Sequence, residues 1–268
     1  MGEFASLDRT IVSSSDALIS ALSSAVLYGK GVFTTVAIHN GVPFLWEKHW
    51  RRLTQNAARL VVDLSEHSEQ TTKKALDDLI EANGIVNGRA RITFFDERSS
   101  IIWPLGSERK TSLLILTRDL RPVPDNFRLT VSPHLVNSTS PLAGVKSCNY
   151  LEKIIALGEA KSRGFDEAIQ LNERGFVTSA VMANVFWLRR SILYTPSLRT
   201  GCLPGTTREF VLENLECREV STTVDELNEA DAIFLTSAGL GVTQVAEFQS
   251  RKPATIKHPI TNLLPERL

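Results

Sequence analysis

The sequence predicts an α+β fold in two domains. Three observations support this prediction: strands and helices follow one another in the first part of the chain, a short proline-containing stretch interrupts them, and a second set of strands and helices follows. With 268 residues, of which 43% are hydrophobic, the chain has enough apolar surface for one large core or two of ordinary size. We divide it into a domain at 1–117, a linker at 118–126 and a domain at 127–268.

The first domain opens with a β-hairpin. Residues 33–39 (FTTVAIH) alternate between two faces and lead into Asn40-Gly41, a strong hairpin signal, so that residues 42–46 form the returning strand. Hairpin, helices and further strands in this order are typical of an α+β unit. The remaining predicted elements of this domain are helices at 47–62 and 71–82 and strands at 90–95 and 112–116.

The linker prediction rests on composition. Residues 118–126 (RDLRPVPDN) contain two prolines and four charges without an apolar period, a pattern typical of a boundary between domains. Beyond it, the predicted elements are a strand at 128–133, a helix at 149–163, strands at 167–171 and 184–188, a helix at 207–215 and a strand at 232–236.

Charge and composition exclude several classes of partner. Thirty basic residues balance thirty acidic ones, so no net field attracts a polyanion, and we expect no nucleic-acid partner. No run reaches the roughly 18 apolar residues that a membrane span needs, and we expect no membrane partner. The three cysteines lack metal-ligand or redox spacing, which suits a reducing compartment. We therefore expect a cytoplasmic protein without a metal site.

Lys146 is the first residue that points to chemistry. It lies in GVKSCNYLEK, after a stretch rich in Ser, Pro and Gly and just before a predicted helix. Because a lone lysine is usually a solvated surface charge, its interpretation depends on the motifs around it. Those motifs are GFDEAIQLNERGFVT at 164–178 and ANVFW at 183–187.

Two turns downstream are suited to an anion. Residues 201–208 (GCLPGTTR) form a tight turn that opens a helix, and the first backbone N–H groups of a helix lack internal partners and point outward. A second small-residue turn, TSAGLG at 236–241, follows a predicted strand. In the first domain, YGKGVFTT at 28–35 and HWRRL at 49–53 complete the set of motifs, and Phe33 and Thr35 share one strand face by period two.

Taken together, these motifs resemble the class IV aminotransferase and aminodeoxychorismate lyase family, the fold-type IV enzymes that use pyridoxal 5′-phosphate (PLP). The resemblance spans roughly Leu27 to Phe248 and is most specific from Lys146 to Arg208. It implies a small N-terminal α/β sandwich, a larger barrel-like C-terminal α/β domain that binds PLP, and a homodimer acting on a small amino substrate.

The resemblance also implies roles for single residues. Lys146 is the catalytic lysine that holds PLP covalently. Phe33, Thr35 and Arg98 are implied in the substrate pocket, where Arg98 stands after a strand in a place suited to a substrate carboxylate. A guanidinium suits phosphate because its donors form a rigid fork. Besides Lys146, the implied PLP-binding residues are Arg52, Ser179, Asn184, Thr206, Thr207, Ser237 and Ala238.

Ser179 departs from the family pattern. The family has a glutamate beneath the pyridine nitrogen, and this sequence has Ser179 there, in VTSA. A carboxylate keeps the ring nitrogen protonated, whereas a hydroxyl only shares a hydrogen bond with a largely neutral ring. We expect a weaker electron sink, which favours loss of a β-leaving group over transamination.

Three hypotheses about activity stay open. The first is an aminodeoxychorismate lyase, which eliminates pyruvate and leaves 4-aminobenzoate for folate synthesis; Phe33-Thr34-Thr35, the strand Asn184-Val185-Phe186-Trp187 and Ser179 favour it. The second is an aminotransferase for branched-chain or D-amino acids, which shares nearly every motif. The third is a PLP-binding protein with degenerate activity, suggested by the missing glutamate.

Overall fold

The structure is a computed structural model that describes residues 2–97, 110–120 and 122–265. The chain forms two compact units. The N-terminal unit comprises Met1–Arg121 and Val145–Tyr150, and the C-terminal unit comprises Pro122–Gly144 and Leu151–Arg267. The predicted linker, 118–126, spans the first change from one unit to the other. Both units combine strands with helices, which confirms the α+β class.

The N-terminal unit is built on one antiparallel sheet. Its strands are β1 (Phe4–Leu7), β2 (Thr10–Ser13), β3 (Gly31–His39), β4 (Val42–Pro43), β5 (Gly88–Asp96) and β6 (Thr111–Asp119). Its helices are α1 (Ser24–Tyr28), α2 (Trp46–Arg59) and α3 (Glu69–Ala82). The strand order is β2-β1-β6-β5-β3-β4, so the long strands β3, β5 and β6 lie side by side.

The predicted hairpin is present, with a shorter return. Asn40 and Gly41 have φ of 50° and 75°, as a two-residue turn between twisted strands requires. The returning strand covers only Val42–Pro43, so the prediction of a strand to residue 46 is wrong beyond Pro43. Leu45 turns the chain at a φ of 56°, and α2 starts directly after it.

Helices α2 and α3 cover the sheet with their apolar faces. Ser68 caps α3 in a capping box with Thr71, which starts the helix two residues before the predicted position. The core beneath the helices holds buried side chains from both helices and from three strands; it includes Leu53, Leu76, Leu79, Val36, Ile92, Phe94 and Ile115. This packing determines which side chains of β3 and β5 point into the core and which point to the opposite face of the sheet.

The C-terminal unit contains two sheets. Its strands are β7 (Arg128–Val131), β8 (Glu167–Leu171), β9 (Val177–Ala180), β10 (Asn184–Arg189), β11 (Ile192–Pro196), β12 (Arg218–Val220), β13 (Ala232–Ser237), β14 (Gly241–Gln244) and β15 (Glu247–Phe248). Its helices are α4 (Leu151–Ser162), α5 (Thr206–Asn214) and α6 (Asp225–Asn228), with 3₁₀ turns at Leu198–Thr200 and Pro259–Asn262. The sheet orders are β12-β11-β10-β13-β14 and β15-β7-β8-β9.

Helix α4 packs against β8 and the end of β9. Ala156 and Ala160 of the helix are fully buried and contact Ala168 and Val181. On the other face of β8 and β9, Ile169 and Ala180 join the main core of the unit. Because side chains alternate along a strand, Ala168 and Gln170 of β8 point to the α4 side.

Candidate functional site

Lys146 is held by a short backbone ladder to the start of β3. The Phe33 N–H donates to the Lys146 carbonyl at 3.0 Å, and the Cys148 N–H donates to the Gly31 carbonyl at 2.8 Å. A Cβ on Gly31 would lie 2.8 Å from the Phe94 carbonyl oxygen and 3.0 Å from the Cys148 Sγ. Only glycine fits here between the backbone of β5 and the Cys148 side chain. The lysine is therefore attached to the sheet rather than carried by a free loop.

The Lys146 side chain lies among aromatic rings. Its Nζ is 4.5 Å from the centroid of Phe33 and 5.1 Å from that of Tyr150, and it donates to the Tyr150 hydroxyl at 3.3 Å. Phe33 is buried, and its ring meets the edge of Tyr150 at a centroid distance of 5.1 Å. The rings restrict the half-buried amine to one side of the sheet.

Arg91 is a candidate that the sequence did not reveal. On β5 it pairs with Thr35, which puts Arg91, Thr35 and Phe33 on one face. The Arg91 guanidinium carbon lies 3.6 Å from the centroid of Phe33, the same ring that Lys146 contacts. The arginine remains exposed, so its charge is open to an anionic ligand. The sequence could have indicated Arg91 only through the alternation of side chains along β5, the strand that pairs with Phe33-Thr34-Thr35.

Arg52 is buried in a polar cluster with Thr34 and His49. It donates to the Thr34 hydroxyl at 2.8 Å, and this hydroxyl lies 2.6 Å from the His49 Nδ1. Burial, together with the positive charges of Arg52 and Lys146, holds the pKa of His49 well below its ordinary value. The neutral imidazole accepts at Nδ1 from Thr34, which leaves the ring proton on Nε2. The N-terminal unit thus brings Phe33, Thr35, Arg52 and Lys146, all singled out from sequence, onto neighbouring elements.

In the C-terminal unit, Asn184 ties the two predicted anion-binding turns together. Its side-chain amide donates to the Leu203 carbonyl at 2.9 Å, and across the sheet it pairs with Thr236. A Cβ on Gly205 would lie 2.0 Å from the Asn184 Oδ1, so a side chain at position 205 would displace the Asn184 amide. The turn at 201–206 and the end of β13 therefore flank one asparagine.

The start of α5 has the features of an anion site. Gly205 is the N-cap and has no side chain with which to cap the helix, which leaves backbone N–H groups for a ligand. Thr206 and Thr207, the first two residues of α5, are buried. At the neighbouring turn, the Ser237 hydroxyl accepts from the Leu240 N–H at 3.1 Å, and Ala238 follows it. Thr236 Oγ1 is buried and has no partner in the part of the chain that the structure describes.

Ser179 lies on β9 directly opposite Gln170 of β8. It is 6% exposed, and its side chain has no hydrogen-bond partner among residues 2–97, 110–120 and 122–265. A register shift follows this pair, because Thr178 is an extra residue whose hydroxyl donates to the Gln170 carbonyl at 2.9 Å. Ser179 is thus a buried hydroxyl held at a fixed position.

Glu167 is the buried acid near this position. Its Oε1 accepts from the N–H groups of Ala168 and Val181 at 3.0 and 3.1 Å, and its Oε2 accepts from Met182 at 3.1 Å. Burial raises the pKa of Glu167 to about 7 in spite of these donors. Because the oxygens hold the backbone between Ser179 and Asn184, Glu167 shapes the site and does not replace the family's glutamate.

Arg98 lies outside the described residues. Among the residues that are described, no group of three or more His, Cys, Asp or Glu side chains is arranged to hold a metal ion. Within the same ranges, no helix combines the length and the apolar character needed to cross a bilayer.

Comparison with known proteins assigns the family. A family model described as amino-transferase class IV matches residues 31–248. The chain belongs to the class IV aminotransferase family. It is similar, at 31% identity over 238 residues, to an aminodeoxychorismate lyase of Bacillus subtilis (strain 168), covering 85% of this chain and 80% of the relative.

The chain is also similar to proteins named as aminotransferases. A putative branched-chain-amino-acid aminotransferase of Methanocaldococcus jannaschii is 28% identical over 253 residues, covering 91% of this chain and 88% of the relative. The crystal structure of a branched-chain aminotransferase from Thermoproteus uzoniensis with norvaline has a TM-score of 0.89 and 27% identity, covering 98% of this chain and 92% of that one. The resemblance drawn from the sequence, its fold type IV and its enzyme class, aminotransferase or lyase, are confirmed.

Proposed function

We propose that this class IV enzyme binds PLP covalently through Lys146 and acts on an amino acid-type substrate. The observation that carries the proposal is the placement of the lysine: its amine lies beside Phe33 and Tyr150 and shares the Phe33 ring with Arg91. When bound, PLP supplies an aldehyde that joins to amines and a ring that withdraws electrons from the neighbouring carbon. Lys146 is the amine for that bond and, when free, a base at Nζ.

The other predicted ligands fit an anionic cofactor. The uncapped start of α5, the Thr207 hydroxyl and the turn at Ser237 and Ala238 supply donors for a phosphate in the C-terminal unit. The family resemblance assigns the Arg52 guanidinium and the Ser179 hydroxyl to the same cofactor. In this proposal Asn184 is a positioning residue, because its amide is engaged with Leu203.

Arg91 is our candidate for binding the substrate carboxylate. Its exposed guanidinium and the Lys146 amine contact the same Phe33 ring, so a molecule whose amine reaches Lys146 carries its carboxylate within reach of Arg91. A planar guanidinium binds a carboxylate through two parallel hydrogen bonds. Arg98 stays a prediction for a similar role.

We predict that Arg91→Met lowers kcat/KM by about 10- to 100-fold, mainly through a higher KM, because one charged hydrogen-bonding partner is lost. PLP binding should not change. Arg89→Met makes the same chemical change two residues away on β5 and serves as the control. Steady-state kinetics with the best substrate would contradict the role of Arg91 if both variants kept the wild-type KM.

Elimination is the reaction that we propose for this enzyme, with aminodeoxychorismate as substrate. Ser179 supports it, since a buried hydroxyl without an acidic partner leaves the ring nitrogen unprotonated and the electron sink weak. When bound, PLP with an unprotonated ring nitrogen would leave more charge on the substrate carbon, which would favour departure of a β-leaving group. The similarity to the lyase of Bacillus subtilis agrees with this choice. Amino transfer from branched-chain or D-amino acids to a keto acid is the second candidate, and the similarity to the relative from Methanocaldococcus jannaschii supports it.

We predict that the purified protein with PLP converts aminodeoxychorismate into 4-aminobenzoate and pyruvate. The assay follows both products and, in parallel, keto-acid-dependent transfer from branched-chain L-amino acids and from D-amino acids. Lys146→Ala is the control and should abolish turnover.

The outcomes separate the three hypotheses. Amino transfer without 4-aminobenzoate would overturn the lyase assignment and leave the aminotransferase. A bound cofactor whose absorption spectrum stays constant with every amine donor would instead identify a PLP-binding protein without turnover.

We further propose that the protein is a homodimer in the cytoplasm. Helix α4 exposes Leu151, Ile154 and Ile155, which are 63, 58 and 51% exposed in the single chain and recur at helical spacing. Such an apolar stripe on a surface helix marks a contact with another protein, and a second copy is the partner that the family resemblance supplies. The free cysteines Cys148, Cys202 and Cys217 suit a reducing compartment.

We predict that Ile154→Asp converts the dimer into a monomer, because a buried unpaired charge opposes association. Sedimentation velocity at several concentrations measures the change. Val86→Asp, at an exposed valine of the N-terminal unit, is the control and should stay dimeric. A wild-type protein that sediments as a monomer, or an Ile154→Asp variant that remains dimeric, would contradict this interface.

A further inference from the structure

A half-buried lysine lies next to the position where the family resemblance places its glutamate. Lys153, in the first turn of α4, donates through Nζ to the Gln170 Oε1 on β8. Both residues belong to the C-terminal unit, and Gln170 is 2% exposed. They lie in segments that the sequence pointed to, 144–153 and 164–178, but neither was itself predicted to be a site residue.

The strand register brings this contact to Ser179. Gln170 and Ser179 are opposite each other in the antiparallel pair β8–β9, so their side chains lie on the same face as near neighbours. That face is the α4 side, because Ala168 and Val181, which are two residues away along the chain from Gln170 and Ser179, pack on Ala156 and Ala160. Lys153, Gln170 and Ser179 therefore form one row, which we call the Lys153 row.

The hydrogen-bonding capacity of each side chain determines which groups of the Lys153 row donate and which accept. An ammonium has only donors, so it occupies the Gln170 carbonyl oxygen and leaves the Gln170 amide with its two N–H donors. The Ser179 hydroxyl makes no hydrogen bond among the described residues, so it is available to accept one from the neighbouring Gln170 amide; its own proton is then left for a further partner. Ser179 then presents a donor, and a group bound against it must be an acceptor.

The positive charge of Lys153 also favours an uncharged acceptor beside Ser179. Lys153 lies near the carboxylates of Glu167 and Glu152 and near the Cys202 thiol, and burial lowers its pKa to about 8 against the pull of these acids. It therefore stays mainly protonated at neutral pH. A cation in this row disfavours a second cation beside Ser179, whereas a glutamate there would favour one.

We propose that Lys153 and Gln170 are positioning residues that hold Ser179 as a hydrogen-bond donor to the unprotonated ring nitrogen of PLP. The inference rests on the proposed function and deepens it, because it names the groups that set the electronic state of the cofactor. In this proposal three residues together, Lys153, Gln170 and Ser179, take the place of the family's glutamate.

The test is the ¹⁵N NMR shift of the pyridine nitrogen, measured in holoenzyme loaded with ¹⁵N-labelled PLP between about pH 6 and pH 9. The wild type should show an unprotonated nitrogen throughout. Lys153→Met should raise the pKa of the nitrogen by about 1 unit or more, so that a protonated fraction appears at the acid end. Lys153→Arg keeps the charge and the donors and should restore the wild-type shift.

Lys161→Met makes the same change at an exposed lysine of α4 and should behave as wild type. Gln170→Leu removes the link but keeps the bulk, and it tests the row independently if Lys153→Met does not fold. A protonated nitrogen in the wild type, or equal titrations of Lys161→Met and a folded row variant, would overturn the proposal. PLP that never absorbs as a lysine adduct would instead overturn the proposed function, and the Lys153 row with it.

Discussion

The backbone ladder between residues 146–148 and the first residues of β3 is the constraint on which the site depends. Fixing the side chain of a lysine costs about 2 kcal/mol in lost rotamer freedom. Here the ladder fixes the backbone, and Phe33 and Tyr150 restrict the side chain to one region. Gly31 permits the ladder, because any side chain at this position would collide with β5 and Cys148. Local packing thus determines the position of the Lys146 amine.

The two units supply different chemistry. The N-terminal unit gathers positive charge: Lys146 and Arg52 lie near a histidine that burial keeps neutral, and Arg91 contacts the same Phe33 ring as Lys146. The C-terminal unit gathers backbone and hydroxyl donors, at the uncapped start of α5 and in the turn after β13. Both kinds of group suit anions, which agrees with a phosphate-bearing cofactor and a carboxylate-bearing substrate.

Much of this could be predicted from the sequence, for physical reasons. The Asn40-Gly41 turn, the amphipathic helices α2 and α3 and the apolar strands have local signals, and all are present. Strand β9 was missed because VTSA is short and half polar, and its burial depends on neighbours distant in sequence. Arg91 and Lys153 were missed for the same reason: each is an ordinary cation in the sequence, and only the strand register and the helix packing put it near Phe33 or Ser179.

The central claim is that one particular amine carries the cofactor, and chemical trapping tests it most directly. Holoenzyme reduced with borohydride and digested with a protease should yield one peptide bearing the reduced PLP adduct, modified at Lys146. Lys153, whose pKa is lowered to about 8, is the most informative alternative site in the C-terminal unit. An adduct at Lys153, or a protein that yields no adduct after incubation with PLP, would contradict the account.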